Sequence, residues 1–367
     1  MKLMIQPGDG ITPLVKAIHG AEKSVDILIF RFDRVEIENA LLKSIERGVA
    51  VRALIAYTNR GGEKGLRSLE MRLLAAGVTV TRTDDDLIRY HGKMMIVDER
   101  DLYVMGFNFT NLDIERSRSF GVFTDDSKIV KEAMKLFEAD SKRQEYEAGL
   151  DTLVVSPHNA RAVLADFLKG AKEELLIWDP AVTDPAMGRI LCERIKAGIA
   201  VRVLGRLSKR VTNAQSRQLH MRLHTRTIVR DREMVFLGSQ SLRTEELDAR
   251  REVGLIFRDQ KIAARLANLF EEDWDESGKS CDRKNKDKDR GAEDAPPPRR
   301  VAKKVAKTVA KNMPPVAPVL EVVVRELAGT RTELAVDPDE LESTVKDAVK
   351  AAIQEAVAEV VEQATGK

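Results

Sequence analysis

Two histidines in this chain stand in matching surroundings. His91 is followed two residues later by Lys93, and His224 is followed at the same spacing by Arg226. An imidazole with its ordinary pKa of about 6.5 can act near neutral pH as a base or as a proton donor. A cation beside each histidine suits a centre where negative charge develops. The two segments therefore predict two half-sites for an anionic group.

The elements that must position these residues recur in one order along the chain. Residues 21–33 align with residues 171–184, and residues 44–55 align with residues 194–205. Apolar runs of strand length alternate with amphipathic helices, which indicates an α/β fold with parallel strand pairs. A helix is also predicted over residues 66–76, and it belongs to the first copy alone.

This duplication predicts two repeats, residues 1–150 and residues 151–276, with one half-site in each. The chain has 367 residues, of which 43% are hydrophobic and 33% are charged. A chain of this length and composition can bury a sizeable core, as soluble globular proteins do.

The cellular compartment is predicted from what the sequence lacks. Cys192 and Cys281 have neither metal-ligand nor disulfide spacing, which favours a reducing compartment. No apolar run approaches the roughly 20 residues of a membrane-spanning helix, and the first residues lack the apolar region of a signal peptide. We therefore expect a cytoplasmic protein, with peripheral attachment to a membrane as an open alternative.

The last part of the chain differs in composition from the two repeats. Residues 277–337 are charged and proline-rich, which predicts a largely disordered linker. Within residues 279–311, twelve Lys and Arg residues stand against five Asp and Glu residues, so this segment either contacts an anionic membrane or nucleic acid or is a solvated linker. Residues 338–365 have the apolar stripe of an amphipathic helix, which we expect to mediate homo-oligomerisation.

The first histidine segment resembles a known motif. His91, Lys93, Asp98 and Asn108 stand at the spacings of the HKD motif of the phospholipase D superfamily, and the duplicated arrangement covers roughly residues 1–276. The resemblance implies two α/β copies, each a mixed sheet flanked by helices, that pack side by side with both motifs in one cleft. It also implies attack on phosphodiesters without a metal or other cofactor, and no His, Cys and carboxylate cluster has metal-ligand spacing.

By this resemblance His91 is expected to be the nucleophile and His224 the acid, although the reverse assignment stays open. Lys93 and Arg226 would hold the phosphate oxygens. Three further side chains are expected to contact the substrate as hydrogen-bonding groups: Asn108, Ser241 at the matching position of the second segment, and Ser239.

Supporting roles are expected for several acidic residues. Asp98 and Asp231 are expected to brace the turn between two strands, as Asx-type acceptors, without contacting the substrate. Glu252 follows its motif at the position where some family members have the acid that orients the histidine, so it is expected to orient His224.

The first segment departs from that pattern. Its matching position is Ser119, so the expected replacement for the missing acid is Glu115 or Asp113. The first segment thus has the better phosphate clamp, and the second has the better oriented histidine.

Three functions fit these residues. The first is hydrolysis or transfer of phosphatidyl groups through a phosphohistidine, including exchange between lipid head groups of the cardiolipin-synthase type. The second is a metal-independent nuclease of the same superfamily. The third is a decayed scaffold that only binds phosphate, in which Arg226 and Ser241 mark the loss of activity.

Overall fold

The computed structural model describes residues 1–57 and 63–286. In chain order the described strands are β1 Lys2–Gln6, β2 Ser24–Ile29, β3 Ala50–Ile55, β4 Thr79–Arg82, β5 Arg89–Tyr90, β6 Met94–Val97, β7 Asp101–Met105, β8 Ser117–Thr124, β9 Leu153–Val155, β10 Glu174–Val182, β11 Ala200–Leu207, β12 Gln215–Arg217, β13 Arg222–Leu223, β14 Arg226–Arg230, β15 Met234–Gly238, β16 Arg250–Arg251 and β17 Val253–Arg258. The described helices are α1 Thr12–His19, α2 Val35–Glu46, α3 Glu63–Ala75, α4 Asn111–Glu115, α5 Ser127–Lys142, α6 Ala160–Lys169, α7 Pro185–Lys196, α8 Thr244–Asp248 and α9 Gln260–Lys286.

The strands form two mixed sheets with the same strand order. The first sheet runs β1-β8-β7-β6-β2-β3-β4, and the second runs β9-β17-β15-β14-β10-β11-β12. In each sheet the βαβ unit, β2-α2-β3 or β10-α7-β11, pairs its strands in parallel, as the crossover rule requires. The predicted fold class, with two duplicated α/β copies of mixed sheets and flanking helices, is confirmed.

The two copies pack against each other through one apolar cluster. This cluster contains residues of both sheets and of α5 and α9, among them Phe120, Trp178 and Phe270. The Trp178 ring contacts the other two rings edge-on, with centroids 5.1 Å from Phe120 and 4.8 Å from Phe270. Such aromatic contacts bury large apolar areas, so they hold the repeats side by side.

Local sequence signals explain where the helices begin. The Asp126 carboxylate accepts the N–H groups of Lys128 and Ile129, which caps α5.

The predicted helix of the first copy is α3, between β3 and β4, whereas β11 and β12 are joined within the described residues without a helix. Helix α9 continues to Lys286 and so enters the segment expected to be a linker.

Of the basic segment at residues 279–311, the part after residue 286 lies outside the described residues, and so does the predicted amphipathic helix at residues 338–365.

Among the described helices, none combines the length and the apolar character that crossing a membrane would require.

Two short parallel strand pairs cross from one copy to the other. Strand β5, which leads into the first histidine segment, pairs with β16 of the second copy, with Arg89 opposite Arg250. Strand β13, which leads into the second segment, pairs with β8 of the first copy, with Arg222 opposite Ser117. The short strand before each histidine is therefore hydrogen-bonded to a strand of the opposite repeat.

Asp98 and Asp231 hold corresponding turns. Asp98 Oδ1 accepts the backbone N–H groups of Lys23 at 2.7 Å and Ser24 at 3.0 Å, at the start of β2. Asp231 Oδ1 makes the same contacts at the start of β10, and both residues have positive φ, 54° and 53°. The bracing contact thus joins two distant segments, where a local Asx turn was expected.

We predict that Asp98→Ala lowers the free energy of unfolding by about 2 kcal/mol, because charge-assisted hydrogen bonds to successive backbone N–H groups are lost. Chemical denaturation of the full chain measures this change. Asp101→Ala is the matched control, since Asp101 pairs with the exposed Arg100 and exposed pairs contribute little to stability. Equal effects of the two substitutions would contradict the bracing role.

Candidate active site

His91 is held by groups of the second repeat. Its backbone N–H donates to the Arg251 carbonyl at 2.7 Å, which continues the β5-β16 pairing. Its Nδ1 lies 2.9 Å from Glu252 Oε2 and 3.0 Å from Glu252 Oε1. The Phe30 ring packs edge-on against the imidazole with centroids 4.6 Å apart. The ring is therefore fixed on several sides.

The expectation that Glu252 orients His224 is wrong. Glu252 follows Arg251, which pairs with the strand before His91, so the crossed pairing carries this carboxylate to the histidine of the other repeat. His91, and not His224, is consequently the histidine with the shorter carboxylate contact. The assignment of the better oriented histidine to the second segment is reversed by the same contact.

His224 has a different carboxylate neighbour. Its backbone N–H donates to the Arg118 carbonyl at 3.0 Å, and its Nε2 lies 3.5 Å from Asp113 Oδ2. Its Nδ1 is buried and has no hydrogen-bond partner among the described residues. Asp113, weighed as a substitute acid for the first histidine, thus serves the second one.

Glu115 does not take part in the site. Its side chain is 51% exposed and forms an ion pair with Arg34 at 2.5 Å. The short helix α4 turns Asp113 inward and Glu115 outward, so the expected supporting role of Glu115 is wrong.

The two cations occupy equivalent places in the two repeats. Lys93 Nζ donates to the His91 carbonyl, and Arg226 Nη1 donates to the His224 carbonyl at 2.6 Å. Arg226 Nε also donates to Ser241 Oγ at 3.2 Å. Ser241 therefore holds the guanidinium of its own segment.

Asn108 and Ser241 are anchored in the same way. Asp113 Oδ2 accepts the backbone N–H of Asn108 at 2.9 Å and its side-chain amide at 2.6 Å. Glu246 Oε2 accepts the backbone N–H of Ser241 at 2.7 Å. The Asn108 Oδ1 atom is buried and lacks a partner among the described residues, so this amide retains capacity for a ligand.

Ser239, expected to contact the substrate, supports Glu252 instead. It is fully buried, and its hydroxyl accepts the Val253 N–H at 3.1 Å. A hydrogen bond from Ser239 lowers the pKa of Glu252, although burial, the larger effect, raises that pKa above the ordinary value.

The charges of the two half-sites act as one unit. Burial lowers the pKa of His91 well below the ordinary value, and the cations of Lys93 and Arg226 lower it further. Burial also lowers the pKa of His224, and the same two cations contribute. Burial lowers the pKa of Lys93 to about 7, with Glu252 acting in the opposite direction. Each cation thus acts on the histidine of the other repeat.

Sequence reasoning named Asp113 as a possible orienting acid but missed its counterpart Glu246, and it missed Arg89 and Arg222, although the repeat spacing would have revealed all three. Asp113 and Glu246 both lie 22 residues after their histidines, and Arg89 and Arg222 both lie two residues before them. Arg89 contributes to lowering the pKa of His91, and Arg222 has the same effect on His224.

Within residues 1–57 and 63–286, no group of three or more His, Cys, Asp and Glu side chains is arranged to hold a metal ion.

Comparison with known proteins relates this arrangement to a family. Residues 14–141 and residues 164–274 match the family model described as cardiolipin synthase, PLD-like domain. The human mitochondrial cardiolipin hydrolase is 30% identical over 131 residues, which are 35% of this chain and 49% of the human protein. The chain spans about half the length of the curated relatives it matches.

Two solved structures have a similar fold. A polyphosphate kinase from Porphyromonas gingivalis has a TM-score of 0.63 at 16% identity, over 74% of this chain and 46% of the kinase. A phosphatidylserine synthase from Haemophilus influenzae has a TM-score of 0.56 at 12% identity, over 75% of this chain and 85% of the synthase. Since the family model matches more than half of the chain, across both repeats, the chain belongs to the phospholipase D superfamily, in the family described as cardiolipin synthase, PLD-like domain.

Proposed function

We propose that this protein hydrolyses or transfers phosphatidyl groups of phospholipids through a phosphohistidine intermediate on His91. The observation that carries the proposal is the contact of His91 Nδ1 with Glu252 across the two repeats. When Nδ1–H donates to this carboxylate, the lone pair of Nε2 is left for attack. Depression of the His91 pKa keeps the imidazole neutral at neutral pH, as a nucleophile must be.

In the first step, the Nε2 lone pair of His91 attacks phosphorus and the bond from phosphorus to the leaving alcohol oxygen breaks. That oxygen takes a proton from His224. Lys93 and Arg226 stabilise the negative charge that the other phosphoryl oxygens gain. The product of this step is a phosphohistidine on His91 and a neutral His224.

The proton on His224 depends on the substrate itself. In the protein without substrate, burial and the charges of Arg226 and Lys93 lower the His224 pKa. An anionic phosphate between these cations offsets their charge and raises that pKa again. The carboxylate of Asp113, 3.5 Å from Nε2, acts in the same direction. Substrate binding therefore generates the acid form that the first step needs.

In the second step, water or an acceptor alcohol gives its proton to His224 and attacks phosphorus. The bond between phosphorus and Nε2 breaks, and its electron pair returns to His91. Water as acceptor makes the reaction a hydrolysis, and a lipid alcohol makes it a transfer.

The phosphatidyl substrate is supported by the family description and by the relatives named cardiolipin hydrolase. A second candidate substrate is nucleic acid, favoured by Arg89 and Arg222, which add one cation beside each histidine. Contacts with phosphates on either side of the scissile one would use such flanking arginines.

We predict that the two histidine variants respond differently to the leaving group. His91→Ala should form no phosphoenzyme from any phosphodiester. His224→Ala should lose about 10²- to 10⁴-fold in rate on alkyl esters but retain release of nitrophenolate, which leaves without a proton. Rapid-quench labelling with peptide mapping detects the phosphoenzyme, and the release of each leaving group gives the rates.

His220→Ala serves as the control for this experiment, because His220 is an exposed histidine in the same region of the sequence. Label on the peptide that contains His224 would reverse the assignment of nucleophile and acid. A His224→Ala variant that loses both leaving groups equally would contradict the acid role.

The pH dependence of kcat/KM should include the loss of the proton from Lys93. Its pKa of about 7 means that the ammonium is present below pH 7 and lost above it, so kcat/KM should fall about tenfold per pH unit on the alkaline side. The acid limb should lie below pH 6.5, because the pKa of His91 is depressed. In Lys93→Arg the part of the alkaline loss that is due to this lysine should disappear, since a guanidinium stays charged, and only the part due to deprotonation of His224 should remain. An unchanged alkaline limb in this variant would assign that limb to another group.

The substrate class can be tested without added metal. We expect head-group release from phosphatidylglycerol or phosphatidylcholine vesicles, and its loss in His91→Ala. Single-stranded and double-stranded DNA are incubated in parallel. Cleavage of DNA with no release from vesicles would overturn the lipid substrate and favour the second candidate.

A further inference from the structure

A cavity of about 330 Å³ lies next to the first histidine segment, lined by both repeats and by the chain that connects them. Its volume is within the range of small-ligand pockets. Tyr90 and Tyr146 are its most buried aromatic residues, 5% and 1% exposed. Their hydroxyls donate to Asp86 at 2.7 Å and to Glu132 at 2.6 Å. With the hydroxyls satisfied inside the protein, the rings contribute mainly their π systems.

A cationic side chain already lies near each of these rings. The Arg251 guanidinium carbon lies 5.5 Å from the centroid of Tyr90, and Lys135 Nζ lies 5.6 Å from that of Tyr146. Cations are drawn to such rings by the negative charge of the π face.

The charged groups of the lining favour a positive ligand. Asp84, Asp86 and Glu145 contribute three carboxylates, whereas Arg143 contributes one guanidinium. The second guanidinium of the lining, Arg251, is neutralised by the buried Asp140 at 3.0 Å. His158 adds no charge at neutral pH, because burial and the neighbouring Arg251 lower its pKa. The lining is therefore negative overall.

A comparison of the two repeats adds an independent observation. The buried pair Arg251–Asp140 corresponds to the pair Arg118–Asp273 in the other half. Asp273 Oδ2 accepts Trp178 Nε1–H at 3.0 Å.

At the corresponding position of the first repeat stands Leu28, which has no donor. Asp140 is 2% exposed, and its Oδ2 has no partner among the described residues. The carboxylate acts on both cavity tyrosines, since it contributes to raising the pKa of Tyr90 and of Tyr146. This buried carboxylate therefore adds negative charge behind the two tyrosine rings, which attracts a cation held near them.

We propose that this cavity binds an organic ammonium ion, by attraction to the surrounding carboxylates and to the π systems of the two tyrosines that line it. The site is separate from the phosphodiester centre and joined to it by the backbone. Tyr90 precedes His91, the Arg251 carbonyl accepts the His91 N–H, and Glu252 follows Arg251. A ligand in the cavity thus contacts the two segments that set the position of the nucleophile and its carboxylate.

The test is a calorimetric titration of the full chain with choline chloride, against sodium chloride at the same ionic strength. We expect saturable binding that is at least about tenfold weaker in Tyr146→Leu and in the double variant Asp84→Asn, Glu145→Gln. Asp166→Asn is the matched control, since it removes one carboxylate that is 77% exposed on α6. It should bind choline like the unmodified chain. Thermal unfolding of each variant identifies any loss of folding.

Because binding is measured directly, His91→Ala should bind choline unchanged, so the result does not depend on the proposed catalytic function. No saturable binding, or equal binding in the folded double variant, would overturn the proposal. Saturable binding of inorganic phosphate that becomes tighter in the double variant would overturn it too, because the arginines would then define the site. Where choline binds, competition by phosphatidylcholine vesicles assigns the ammonium to a lipid head group, and its absence assigns it to a free amine.

Discussion

The candidate site depends on the hydrogen bond between His91 and Glu252. This bond in turn depends on the crossed strand pairs. This bond joins a histidine of the first repeat to a carboxylate of the second. It forms because β5 pairs with β16 in parallel, which brings Arg251 and Glu252 alongside the start of the first motif. The geometry of His91, the proposed nucleophile, is therefore a property of the interface between repeats, and the apolar cluster around Trp178 maintains that interface.

The charges of this centre are arranged for chemistry more than for stability. Lys93, Arg226, Asp113, Glu246 and Glu252 are all buried within a small region. Removing so many charges from water costs free energy that mutual attraction only partly offsets. The same desolvation depresses the pKa of His91, so the neutral imidazole that the proposed attack needs exists near neutral pH, and it lowers the pKa of Lys93 to about 7.

Much of this architecture follows from sequence patterns, because periodicity and duplication record which residues are buried. The βαβ units, the helix confined to the first copy and the two histidine segments were all predicted from such patterns. The crossed pairs were not, because strands of two residues leave no periodic signal. Without those pairs, Glu252 was assigned to the wrong histidine. The inward turn of Asp113 beside the exposed Glu115 likewise depends on how α4 packs, which spacing alone does not determine.

The crossed pairing also makes the two repeats mutually dependent and not interchangeable. The position that carries Glu252 in the second repeat carries Ser119 in the first. A chain assembled from two copies of the first repeat would have both histidines and no carboxylate for either at this position, whereas two copies of the second repeat would supply one to each. A substitution at residue 252 would therefore change the surroundings of His91 in the opposite repeat. Such reciprocity ties the geometry of each half-site to the sequence of the opposite repeat.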